Sequence, residues 1–366
     1  MKKITLFLTV VAIFIALNTN AKIWTVANFH NAADFTTLQA AIDGASAGDT
    51  LYIEGSAVSY GNGIFNKKLV VFGNGYWLTE NPNTQARKES SIVGQLTFNA
   101  GSQGSEIQGL YVYAYFSLPS ANFSLITINC NNIMLARNLI HAPIINIANS
   151  LIGKVISITV NCENIIIKQN WIDTYTATSS SNVYNGSIYA VSFTGVPTNC
   201  IISNNMIRAY KAGTYGGTPY SIVMYLNQPS GLLVSNNVIW GDVSTYYTEH
   251  TNNILVSGVY SPGYNTATYN NIGSGTQYPI SGNNKQNVNM TTVFENVTKY
   301  IDYGYILKAG SPAIGAGTNG VDCGAFGGGN PYVLSGLPPI PAIYEVTIQP
   351  YGTTIIPVNI KAKSHL

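Results

Sequence analysis

The chain is poor in charge. Of its 366 residues only 9% are Asp, Glu, Lys or Arg, against roughly 25% in an average domain. Seventeen basic residues face 15 acidic ones, and two of the basic ones, Lys2 and Lys3, fall in a leader-like start. This balance argues against nucleic acid as the partner, because phosphate binding needs clustered Lys and Arg. Cysteine is scarce: four residues are too few for a disulfide framework at this length. None belongs to a CxxC or has a nearby His, which argues against a metal site. Apolar runs of membrane-spanning length are missing beyond the start of the chain, so no span is expected. With so little charge, the surface must be built from Asn, Ser, Thr, Gly and the 25 Tyr.

Lys2 and Lys3, an apolar stretch over 4–17 and the small-residue end Thr19-Asn20-Ala21 read as a secretory signal peptide over 1–21. The remainder is expected to be exported, whether extracellular, cell-surface or periplasmic.

What is present is a repeat. The segments LARNLI (135–140), IKQNWI (167–172), ISNNMI (202–207), VSNNVI (234–239) and TYNNI (268–272) each place an Asn two residues before an Ile. The Asn positions are 138, 170, 205, 237 and 270, so the steps are 32, 35, 32 and 33 residues. A fixed period of this size signals a stacked repeat in which each unit contacts its neighbours. Within a unit the pattern is strand, turn, strand, Asn, strand, long loop, as in ISITV (156–160), IIIKQ (165–169) and WIDTY (171–175). Leucine-rich repeats also carry an Asn ladder, but at 20–29 residues per unit. The longer period and the Ser/Thr/Gly/Tyr-rich closing loops favour an all-β, right-handed parallel β-helix. In that fold each Asn amide would bond to the coils on either side.

The ends differ from the middle. Residues 35–46 read as one amphipathic helix, with Leu38, Ala41 and Ile42 on its buried face and Asp34 as N-cap. Such a helix would cover the first open coil. The β-helix with its cap is expected over 22–330. Residues 331–366, with strand-like IYEVTI (343–348) and TIIPVNI (354–360), read as a C-terminal cap and hairpin packed on the stack. Cys130 and Cys162 each precede a ladder Asn by eight residues. They should lie on adjacent coils about 4.8 Å apart, a distance that permits either a disulfide or two stacked thiols. Cys200 aligns with Ile133 and Ile165 as a core residue.

FTTLQAAIDGASAGDTLYIEG (35–55), the Asn ladder and YILKAGSPAIGAGTNGVDCGAFGG (305–328) together resemble the pectate-lyase-like superfamily of secreted bacterial right-handed β-helix proteins. The resemblance implies a polysaccharide or surface glycan as partner, with lyase or hydrolase activity, and calcium as the cofactor to consider. No adjacent Asp-Asp pair and no Gly-His-Gly is present. NWIDT (170–174) is similar to a Trp-Ile-Asp-His element of pectate lyases, but Thr174 stands where that element has His. Lyases of this fold bind along the first strand of each coil. Alternation places Thr127, Thr159, Ser192, Tyr225 and Ser257 outward there, none of them ionisable near neutrality.

The third strand carries more chemistry. Three residues after each ladder Asn stand His141, Asp173, Arg208 and Trp240. One residue per coil makes a column, with Asp173 between a His and an Arg. Read functionally, this is an acid/base group with a cationic stabiliser and a stacking Trp; read structurally, it is a cross-strand ion pair. The loops after the third strands carry further candidates. Tyr175, Tyr210, Tyr215, Tyr246 and Tyr247, with Trp240, are the sugar-stacking set. Glu249 and His250 are a candidate catalytic pair in the last loop (241–252). The competing reading is a non-enzymatic structural or adhesive surface protein.

Overall fold

In the computed structural model the described residues are 21–117, 123–145, 152–159, 161–177, 187–211, 219–224, 228–348 and 357–364. Residues 1–20 of the expected leader lie outside them, as do Tyr215 and Tyr225. The chain winds as a right-handed parallel β-helix. Among the described residues, three parallel sheets run the length of the stack with eight, ten and nine strands. One coil contributes a strand to each. Ile152–Ile158 belongs to the first sheet, Ile166–Lys168 to the second and Trp171–Ala177 to the third.

The coils stay in register because like side chains stack inside. Leu135, Ile167, Ile202 and Val234 form one internal column. Ile140, Ile172, Ile207, Ile239 and Leu255 form another. All nine are fully buried. Burial of each such side chain stabilises the stack by roughly 1.5–3 kcal/mol.

Between the second and third sheets runs the Asn ladder. Asn170 Nδ2 donates to Asn205 Oδ1 at 3.0 Å and to Leu135 O at 2.8 Å, while its Oδ1 accepts from Asn138 N and Nδ2. The pattern continues through Asn237, Asn253, Asn271 and Asn284. Here the structure corrects the spacing. The last ladder residue expected was Asn270, but Asn271 holds the place and Asn253 adds a coil that the 33-residue step concealed. The steps shrink from 32 to 16, 18 and 13 residues because the long loops are lost. The residue before each ladder Asn adopts a left-handed conformation. It is Arg137, Gln169, Asn204, Asn236, Asn252, Asn270 or Asn283, with φ of 54–58°. Asn tolerates this backbone. Asn270 therefore turns the corner, and its amide donates to Thr318 Oγ1 at 2.9 Å. Asn270→Ala is expected to cost roughly 1–2 kcal/mol from strain and one lost bond. Denaturant titration of the variant checks this; no change would place Asn270 outside the turn geometry.

That corner column also holds the C-terminal part of the chain. Asn252 accepts from Thr318 N, Asn236 donates to Asp322 O, Asn204 to Gly327 O, Gln169 to Pro331 O and Arg137 to Leu337 O. As the contact number falls along the stack it rises along the tail. Residues 290–340 thus form a strap that runs back down the outside toward the first coils. A second apolar core lies beneath it, built from Leu139, Trp171, Met206, Val238 and Ile254 of the third sheet with Phe294, Tyr305 and Tyr332 of the strap. Pro341–Ile348 and Val358–Ser364 then pair as an antiparallel hairpin.

At the N-terminal end the helix is Leu38–Gly44. Leu38, Ala41 and Ile42 are buried as expected, but the N-cap is Thr37, whose hydroxyl accepts from Ala40 N. Asp34 instead accepts from the Thr25 amide and hydroxyl at 2.8 and 2.9 Å. The four Cys are free thiols. Cys162 Sγ lies 3.6 Å from Cys200 Sγ, and Cys130 Sγ lies 3.2 Å from Ser102 Oγ. Among the described residues no helix is long and apolar enough to cross a membrane.

Candidate functional site

The third-strand column forms as spaced. Tyr113, His141, Asp173, Arg208 and Trp240 pair successively in register on the outer face of the third sheet. Arg208 grips Asp173 with a two-pronged contact, Nε to Oδ1 at 2.6 Å and Nη2 to Oδ2 at 3.0 Å. His141 Nδ1 lies 2.9 Å from Asp173 Oδ2. An ionised carboxylate only accepts, so Nδ1 carries the proton and Nε2 is left to face outward. No partner for Nε2 occurs among the described residues. The Asp173 side chain is only 3% exposed, against 21% for His141 and 13% for Arg208.

Burial alone would raise the Asp173 pKa. The hydrogen bonds and charges of His141 and Arg208 outweigh it and hold the carboxyl below its usual range. Burial would likewise lower the Arg208 pKa, but Asp173 raises it above its ordinary value. Both therefore stay charged. With both oxygens engaged, Asp173 is a positioning residue for His141.

Aromatic rings surround this group. The Tyr113 ring stacks near His141 (5.8 Å, 19°), and Tyr175 lies on its other side (5.9 Å). Tyr175 and Tyr210, paired in register, stack at 5.4 Å. The Arg208 guanidinium lies 4.7 Å from the Tyr210 ring centre and 4.6 Å from that of Tyr300. Tyr300 comes from the strap, more than 90 residues beyond Arg208. Such long-range return was invisible in the repeat pattern, so neither Tyr300 nor Tyr305 stood out in the sequence. Tyr113 was within reach: it is the coil before His141.

The other sequence candidates lie elsewhere. Trp240 is half-buried under the strap, edge-on to Tyr305 at 4.6 Å and facing Trp171. The expected loop over 241–252 is instead two strands, Asp242–Thr245 and Thr248–Thr251. Strand alternation turns Glu249 to solvent and His250 inward, so they form no pair. His250 occupies the internal column after Val234. It is fully buried, with Nε2 2.8 Å from Thr245 Oγ1 and 3.1 Å from Thr248 Oγ1. Burial pushes its pKa down to about 3. Tyr246 and Tyr247 form the turn between the first and second sheets, away from the His141 face.

The first-sheet face is also different from expectation. Ser257 belongs to the third sheet, and Thr159 follows its strand. Thr127 pairs with Ser157, then Ser192, Val223 and Ser244. A second column runs Ser124, Lys154, Tyr189, Tyr220, Asp242. Two ionisable groups therefore stand where none was expected. Consecutive inward residues, Val155 and Ile156, shift the alternation by one and hide Lys154 from a strict period of two. Burial lowers the Lys154 pKa. The side chain lines a groove of about 360 Å³ with Gln95, Thr97 and Thr127. Among the described residues no group of three His, Cys, Asp or Glu is placed to hold a metal ion.

No family model and no curated protein matches the chain. Among solved structures it is similar to pectate lyase Pel9A, at 13% identity and a TM-score of 0.35, with 85% of this chain and 98% of that one covered. The chain itself has a right-handed parallel β-helix architecture.

Proposed function

We propose that this protein is exported and engages polysaccharide through the outer face of its third sheet. The observation that carries the reading is the run of Tyr113, His141, Tyr175 and Tyr210 rings beside the Asp173–Arg208 pair. Coils succeed one another at about 4.8 Å, so a chain lying along the stack meets a ring of this row at each successive coil. Sugars present C–H faces to such rings and hydroxyl edges to the polar groups between them. The low charge of the protein suits a neutral glycan, since a polyuronate would favour a basic groove.

A second reading, turnover of the bound glycan, is favoured by one arrangement. Asp173 accepts from the His141 Nδ1–H and leaves Nε2 without a partner among the described residues, the disposition a general acid/base needs. Incubating the protein with neutral and acidic polysaccharides, with and without calcium, and reading soluble products by mass spectrometry separates the readings. Unsaturated products mean elimination and hydrated ones hydrolysis. Either should fall at least 100-fold in His141→Ala. Binding without products leaves an adhesive or binding role. The absence of both binding and products with every polymer defeats the proposal.

A further inference from the structure

We propose a second saccharide site, on the outer face of the second sheet near the first coils. A cavity of about 490 Å³ opens there between Tyr52, Glu54, Asn74, Gln85 and Arg87 on one side and the start of the C-terminal hairpin on the other. Its size falls within the range of small-molecule sites, about 300–1,000 Å³. It lies on a different sheet from His141, so this site goes beyond the function proposed above and stands or falls separately.

The decisive residue is Gln85. It is only 7% exposed and lines the cavity, yet its amide makes no hydrogen bond among the described residues. A side-chain amide brings two donors and an acceptor, and buried polar groups are as a rule paired. Its neighbour shows the contrast. Asn74, also buried, accepts from Tyr52 Oη at 2.9 Å and donates to Glu89 O at 3.4 Å. The Gln85 amide instead opens onto the cavity, where ligand hydroxyls can meet its donors and acceptor.

The surrounding groups define that ligand. His30 Nδ1 accepts from Ala32 N at 3.2 Å, so the ring proton sits on Nε2, 3.2 Å from both Glu54 oxygens. His30 thereby orients Glu54 and leaves the carboxylate spare acceptor capacity. Arg87 stacks on Phe29 at 3.5 Å and pairs with Glu89 at 3.2 Å, which fixes its remaining N–H donors at the rim. Opposite stand the apolar side chains of Ile343 and Val346. The hairpin is tied in place where Ala86 N donates to Ile343 O at 2.7 Å. One wall of amide, carboxylate and guanidinium faces one apolar wall. A pyranose matches this, with hydroxyls at its edge and C–H groups on its face. Two carboxylates and one paired guanidinium disfavour an anionic sugar, so the ligand class is a neutral saccharide unit.

Saturation-transfer NMR on the full chain, with glucose, galactose, mannose, xylose, N-acetylglucosamine and cellobiose as probes, tests this. At least one should bind. In a Tyr175→Ala/Tyr210→Ala background, where the third-sheet rings no longer contribute, binding should persist, and Gln85→Leu or Glu54→Gln should each weaken it at least 10-fold. Gln85→Glu keeps the side-chain shape but removes the donors, and should show the same loss if Gln85→Leu fails to fold. No binding by any probe, or binding indifferent to Gln85 and Glu54, overturns the proposal.

Discussion

Asp173→Ala is expected to destabilise the protein by about 3–5 kcal/mol, because it leaves the largely buried Arg208 guanidinium without its counter-charge. The pair has the two-pronged geometry that Arg and carboxylate share, and Asp173 also anchors His141. Arg87–Glu89 provides an internal control. Its side chains are 40% and 48% exposed, so Glu89→Ala should cost under about 1 kcal/mol. Urea titrations of the two variants at neutral pH test the contrast. Equal midpoints would mean that the Asp173 pair is solvated and structurally idle. Asp173→Asn should sit between wild type and Asp173→Ala, since it keeps the shape but loses the charge.

Acid should weaken the fold through His250. In the unfolded chain this imidazole takes up a proton near its ordinary value of 6.5, whereas in the native state it resists protonation down to about 3. The unfolded state therefore binds more protons between those values, and stability falls as pH drops through that window. The loss is about 2 kcal/mol between pH 6.5 and 5 and on the order of 4 kcal/mol by pH 3. Asp173 acts in the same direction at lower pH. Its carboxyl is held below the usual range, so its stabilisation is present above about 3.8 and is lost as pH falls through the native value. His250→Phe keeps an aromatic ring in the core and removes the titration. Unfolding midpoints of this variant should change little between pH 7 and 5. A variant as acid-sensitive as wild type would show that His250 is not the group responsible.

The repeat was legible because the physics behind it is local and periodic. A ladder amide must recur once per coil, so Asn138, Asn170, Asn205 and Asn237 marked both the fold and its register. The column His141–Asp173–Arg208 followed from counting three residues beyond each. The count failed where the coil shortened. Asn253 and Asn271 sit in coils without the long loop, and His250 was read as a loop residue when it fills a core position. Lys154 was hidden by a slip in alternation at Val155 and Ile156. Tyr300 and Tyr305 come from a strap that returns along the stack, and the hairpin wall of the Gln85 cavity follows that strap. Contacts such as Arg137–Leu337 span 200 residues, and no local pattern announces them. At the helix start Asp34 was read as the N-cap. Thr37 holds the N-cap, and Asp34 instead bonds to the Thr25 amide and hydroxyl of the first strand.

Affinity electrophoresis through gels containing neutral polysaccharides tests the central claim most directly, comparing wild type with the double variant Tyr175→Ala/Tyr210→Ala. Those rings flank the His141–Asp173–Arg208 group and belong to neither apolar core. The account predicts retardation of wild type by at least one polymer and at least a 10-fold weaker interaction in the variant, with an unfolding midpoint close to wild type. Retardation that survives loss of both rings would contradict it and move glycan recognition off the third-sheet face.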